Sequence, residues 1–99
     1  MNLNSLNQIF KLKIFGNVQG VGYRAWMKRT ITSLNYSGYV FNCDDGSVEV
    51  LVECPRHEIN LIIKLCYAGP SISDVKEIDC IEEHSIQSSI LTGKFYIKD

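Results

Sequence analysis

The stretch Gly16-Asn17-Val18-Gln19-Gly20-Val21-Gly22-Tyr23-Arg24 puts three glycines and an arginine within nine residues. Glycines at positive φ let successive backbone N–H groups turn inward about one point, which makes a concavity for an anion. An arginine beside it brings a full charge and a planar donor fork matched to phosphate oxygens. The flanking residues set this turn between a strand and a helix. Before it, Gln8–Phe15 alternates, with Phe10, Leu12 and Ile14 on one face. After it, Tyr23, Met27, Ile31 and Leu34 recur at helical spacing, a helix expected to end near Asn35. The N-terminus of that helix adds partial positive charge at the same point.

A second candidate, Asn42, depends on the rest of the chain to reach this turn. Gly38–Cys43 reads as a strand, and Asp44-Asp45-Gly46 as the hairpin turn after it. Ser47–Cys54 alternates most strongly of all: Val48, Val50, Val52 and Cys54 face one way, Glu49, Leu51 and Glu53 the other. A second helix starts near Arg56, carries the stripe Ile59, Ile62, Ile63 and Cys66, and stops at Gly69-Pro70. Ser73–Ile81 reads as a fourth strand and Lys94–Lys98 as a short last one, with 82–92 unassigned.

The order β-α-β-β-α-β plus a terminal strand predicts an α+β fold. This is the ferredoxin-like split βαβ sandwich, an antiparallel sheet with two helices on one face. A right-handed crossover through the first helix makes the first two strands parallel, and the third fits between them. Parallel strands end at one edge, so the glycine turn is expected beside the hairpin that follows Asn42. If Val40 packs under the helices, Asn42 points toward the start of the first helix, where Arg24 sits.

The segment Gly16-x-Val18-Gln19-Gly20-Val21-Gly22-Tyr23-Arg24 resembles the phosphate-binding signature of the acylphosphatase family. Gly38-Tyr39-Val40-Phe41-Asn42, then Asp45-Gly46-Ser47-Val48-Glu49, resembles its second block, and Gly69-Pro70 before Val75 gives a weaker third match. The resemblance implies metal-independent hydrolysis of acyl phosphates to carboxylate and inorganic phosphate, with no cofactor. It implies that Arg24 and the backbone N–H groups of Val18, Gln19, Gly20, Val21, Gly22 and Tyr23 bind the phosphoryl group. It further implies that Asn42 positions the attacking water. Asn17 stands where many members carry arginine, and Tyr39 where many carry tryptophan.

Composition narrows the alternatives. A chain of 99 residues suggests one domain, here 8–99, after a flexible polar arm at 1–7. The net charge of −1 provides no general field for nucleic acid or a membrane, so attraction for an anion must be local. Nucleic-acid-binding domains of this topology use aromatic middle strands in basic surroundings, whereas the third strand here offers Glu49, Leu51 and Glu53. Metal-chaperone domains of this topology carry C-x-x-C in the first loop, which has no cysteine here. Cys43, Cys54, Cys66 and Cys80 are scattered, without zinc-ligand spacing. There is no leader-like apolar region after a basic start and no run of about 20 apolar residues. The expectation is a cytoplasmic, stand-alone monomer with reduced thiols, whose partners are a small acyl phosphate and phosphate. A module that binds a phosphate or carbamoyl phosphate without turnover, as in acylphosphatase-like domains of larger maturation enzymes, is the competing reading. His57 and His84 are expected in solvent, Cys43 packed or idle, and Trp26 partly exposed.

Overall fold

The computed structural model describes residues 7–84 and 93–98. The chain runs β1 (Asn7–Asn17), α1 (Tyr23–Ser33), β2 (Ser37–Asn42) and β3 (Val48–Pro55). A 3-10 turn at Arg56–Glu58 leads into α2 (Ile59–Ala68), followed by β4 (Asp74–Glu82) and β5 (Phe95–Ile97). One five-stranded sheet has the order β4-β1-β3-β2-β5. As the crossover rule requires, β3 lies between β1 and β2 and is antiparallel to both. The terminal strand β5 adds to β2 in parallel, which makes the complete sheet mixed.

The registers give rows of side chains that explain the core. Ile78, Ile14, Val48 and Asn42 form one row; Cys80, Leu12, Val50, Val40 and Ile97 form the next. Cross-strand neighbours share a face. Phe10, Leu12, Ile14, Val40, Val48, Val50, Val52 and Cys54 are buried in one cluster with Tyr23, Met27 and Ile31 of α1 and Ile59, Ile62 and Cys66 of α2. Both helices therefore cover the same face. On the other face Leu51 is also fully buried, packed with Ile9 and Tyr39. A leucine facing away from the helices finds cover there because its aromatic and aliphatic neighbours lie on adjacent strands.

Element ends differ from the sequence reading by one to three residues; the second helix, expected from near Arg56, begins at Ile59 because Arg56–Glu58 is a 3-10 turn after Pro55. Asn7 is already in β1, opposite Pro55, so the strand extends into the expected arm; residues 1–6 and 85–92 lie outside the described residues. Helix α1 ends at Ser33, before Asn35 turns to φ 64°, a left-handed conformation asparagine tolerates better than most residues. Gly16 and Asn17 belong to β1 rather than to the turn, paired with Val75 and Asp74 of β4 across a register shift. A Cβ at Gly16 would stand 2.2 Å from the Asp74 carbonyl oxygen, so this glycine serves the close approach of two strands. The turn between β1 and α1 is thus residues 18–22. The four cysteines are free. Cys54 and Cys66 are buried, and desolvation pushes each thiol up to about 12. No helix among the described residues is long and apolar enough to cross a membrane.

Candidate active site

The turn leaves β1 and enters α1 through Gly20 at φ 75° and Gly22 at φ 79°. Open space surrounds the position of a Cβ at both, so glycine is needed here for the backbone conformation. Gly22 is the N-cap of α1, no side chain caps the helix, and its first turn has no acidic residue. The first intrahelical bond is donated by Trp26 N–H to the Gly22 carbonyl at 3.0 Å. The N–H groups of Tyr23, Arg24 and Ala25 precede it and have no acceptor within the helix. The positive end of α1 is thus uncapped among the described residues.

Two anchors hold this turn. The Tyr23 ring is buried, and its hydroxyl donates a 2.6 Å hydrogen bond to the Cys66 carbonyl of α2. Burial first, then the adjacent Cys66 side chain, raises the phenol far above its ordinary range, so Tyr23 stays neutral. Its ring lies 5.6 Å from that of Trp26, which is half-buried against the core. The second anchor is Gln19. Its side-chain Nε2 donates to the Cys43 carbonyl at 2.8 Å and to the Ser47 carbonyl at 2.9 Å. These carbonyls close the β2–β3 hairpin, accepting from Gly46 N–H and Cys43 N–H respectively. Asp45 stiffens the same hairpin by accepting from Ser47 Oγ at 2.5 Å and Ser47 N–H at 2.9 Å, with Lys13 Nζ 3.0 Å away. The Ser47 donors, then Lys13, hold its carboxyl well below the usual carboxylate range.

Asn42 follows Val40 in register and shares a row with Ile14 and Val48, so it faces the helices. It meets Arg24 across a cavity of about 210 Å³. Val18, Gly20, Gly22, Tyr23, Arg24, Ala25, Asn42 and Ile97 line it. Arg24 is exposed and forms no ion pair among the described residues. Asn42 Oδ1 is buried without a hydrogen-bond partner among the described residues, an arrangement that costs free energy in a folded chain.

The structure brings most of the expected residues to this wall, but Gln19 and Val21 are not on it. Val21 packs against the core, and Gln19 acts through its side chain on the hairpin. Asn17 is exposed at the end of β1, outside the lining. Cys43 is likewise off the wall, and His57 and His84 are exposed. Sequence reasoning missed Ala25 and Ile97. The i+1 position after Arg24 could have signalled the first, but only the pairing of β5 with β2 brings in the second. No three His, Cys, Asp or Glu side chains among the described residues gather as a metal site would require.

The chain is a small α+β sandwich in which an uncapped helix N-terminus, a glycine turn, an arginine and an inward-facing asparagine share one cavity. A model of the acylphosphatase family matches residues 10–97, and the chain belongs to that family. It is 36% identical to an acylphosphatase of Syntrophotalea carbinolica over 85 residues, 86% of each chain. It is 40% identical to one from Alcanivorax borkumensis over 65 residues, 66% of this chain and 71% of that one. The crystal structure of acylphosphatase from Bacillus subtilis superposes with a TM-score of 0.82 at 28% identity, covering 92% of this chain and 98% of that one.

Proposed function

We propose that this member of the acylphosphatase family hydrolyses acyl phosphates in the cavity between Arg24 and Asn42. The observation that carries the reading is their juxtaposition: at the uncapped N-terminus of α1, one cavity is lined both by Arg24, which forms no ion pair among the described residues, and by the inward-facing Asn42. Arg24 and the N–H groups of the turn hold the phosphoryl oxygens and stabilise the charge that builds on them. Asn42 accepts a hydrogen bond from the attacking water and holds it in line. Water adds to phosphorus as the bond to the acyl oxygen breaks, and the carboxylate leaves with that electron pair. A carboxylate is a weak base and departs without a general acid. A phosphate oxygen takes the proton of the water, so the products are carboxylate and inorganic phosphate. Phosphoryl transfer of this kind asks chiefly for positioning and charge.

Phosphate release from acetyl phosphate and benzoyl phosphate tests the reading. Turnover is expected with and without EDTA, and phosphate monoesters, whose alkoxide needs an acid, should react negligibly. Magnesium-dependent monoester hydrolysis would overturn the scheme, and phosphate binding with no turnover of either acyl phosphate would make the domain a binding module.

Gln19 is a positioning residue in this reading, since its two hydrogen bonds tie the phosphate turn to the hairpin that follows Asn42. Gln19→Ala should cost about 1–3 kcal/mol of stability for two neutral bonds. It should also lower kcat about ten-fold or more, with a smaller change in phosphate affinity, because the turn stays intact while its distance to Asn42 loosens. Gln19→Glu aims an acceptor at both carbonyls and should be worse than alanine. Urea unfolding together with kcat and phosphate inhibition decides it: lost stability with unchanged kcat leaves Gln19 purely structural.

A further inference from the structure

The phosphoryl cavity continues into a groove along α1. Ala25 and Ile97 line both, and the rest of the groove, about 590 Å³ in volume, is walled by Lys28, Arg29, Thr32 and Ser33. Lys28 and Thr32 then form the near wall of a further depression of about 570 Å³ that has Lys94 on its rim and Phe95 in its lining. Among the described residues, no carboxylate lines the cavity, the groove or the depression.

This concentration of cations is local, because the whole chain carries 11 acidic against 10 basic residues. Helix α1 has no acidic residue. Lys28 and Arg29 are exposed, and neither forms an ion pair among the described residues. Their placement does not help the helix. Arg24 and Lys28 form a like-charge i,i+4 pair, which is mildly destabilising, and Arg24 opposes the positive end of the dipole. Ala25 and Arg29 are also i,i+4, so Arg29 stands on the same face one turn further on, about 6 Å along the axis. A short apolar bridge, Ala25 with Ile97, thus links the phosphoryl cavity to two cations that form no ion pair among the described residues.

We infer that this groove seats the acyl half of the substrate and selects acyl phosphates that carry a carboxylate at the far end of a short chain. The methylenes lie over Ala25 and Ile97, and the carboxylate meets Lys28 and Arg29. The inference rests on the phosphoryl group occupying the turn as proposed above, since that fixes which way the acyl chain leaves.

Propionyl phosphate and the monosuccinyl phosphate, assayed side by side at low ionic strength, provide the test. The quantity read is the ratio of kcat/KM for the carboxylated over the neutral substrate. It should exceed one in the parent and fall as salt rises through the screening range of about 10 Å. In Lys28→Ala/Arg29→Ala the ratio should drop about three- to ten-fold, mainly through KM, and Arg29→Glu should lower it further. Alanine is the strongest helix former, so these variants should fold. Lys64→Ala on α2 removes one positive charge elsewhere, as either single substitution Lys28→Ala or Arg29→Ala does in the groove, and should leave the ratio unchanged. An equal response to Lys64→Ala, or a ratio untouched by the Lys28 and Arg29 changes, overturns the inference while the hydrolytic reading stands. If the parent hydrolyses neither substrate, the hydrolytic reading fails first and the inference falls with it.

Discussion

Replacement of Arg24 by alanine is expected to abolish measurable acyl phosphate hydrolysis without unfolding the domain. The side chain is exposed at the second position of α1, and the residues around it that hold the turn are Tyr23, Gln19 and the core. No described partner loses an ion pair when it goes. A cation in the first turn of a helix opposes the dipole, so alanine should be neutral or slightly stabilising. Its effect on rate is of another order. An arginine that meets charge on a transferring phosphoryl group is worth about 10³-fold or more. Lysine should restore little, because it supplies a point charge without the planar fork. Initial rates, phosphate inhibition and thermal unfolding of Arg24→Ala and Arg24→Lys check this. Near-parental activity in a folded Arg24→Ala would remove the site from the cavity.

The sheet rows and the turn were legible because each is written locally. Period-two alternation put Phe10, Leu12, Ile14 and the valines of β3 in the core, and all of them are there. The helical stripe of Tyr23, Met27 and Ile31 is buried as its spacing requires. Asn42 was brought to Arg24 by topology: parity with Val40 and the parallel course of β1 and β2 suffice. What escaped the sequence depends on partners distant in the chain. Gly16 reads as a loop glycine until β4 is seen to pass 2.2 Å from its missing Cβ. Leu51 reads as half-solvated until Tyr39 and Ile9 cover it. Gln19 reads as one more residue of the turn. Its carboxamide role appears only once the hairpin, 24 and 28 residues away, folds against it. The contribution of Ile97 follows from a three-residue strand pairing in parallel, which periodicity over so short a run does not specify.

Asn42→Ala should show the opposite balance between stability and rate from an ordinary buried polar substitution. Oδ1 of Asn42 is buried and accepts no hydrogen bond from the described residues, so its removal orphans no described donor and should leave stability unchanged or slightly higher. The backbone of Asn42 stays in register opposite Val48 whatever the side chain. Turnover should nevertheless fall about 10²-fold or more, because the amide is the group proposed to hold water in line with the leaving carboxylate. Binding of inorganic phosphate should change far less, since Arg24 and the turn remain. Asn42→Asp separates the roles further: its carboxylate can still accept from water but faces a phosphoryl dianion, so phosphate affinity should fall along with kcat. The decisive comparison is kcat against the phosphate inhibition constant across parent, alanine and aspartate variants. Parallel losses of kcat and phosphate affinity in Asn42→Ala would make the asparagine a phosphate ligand and require another group to hold the water.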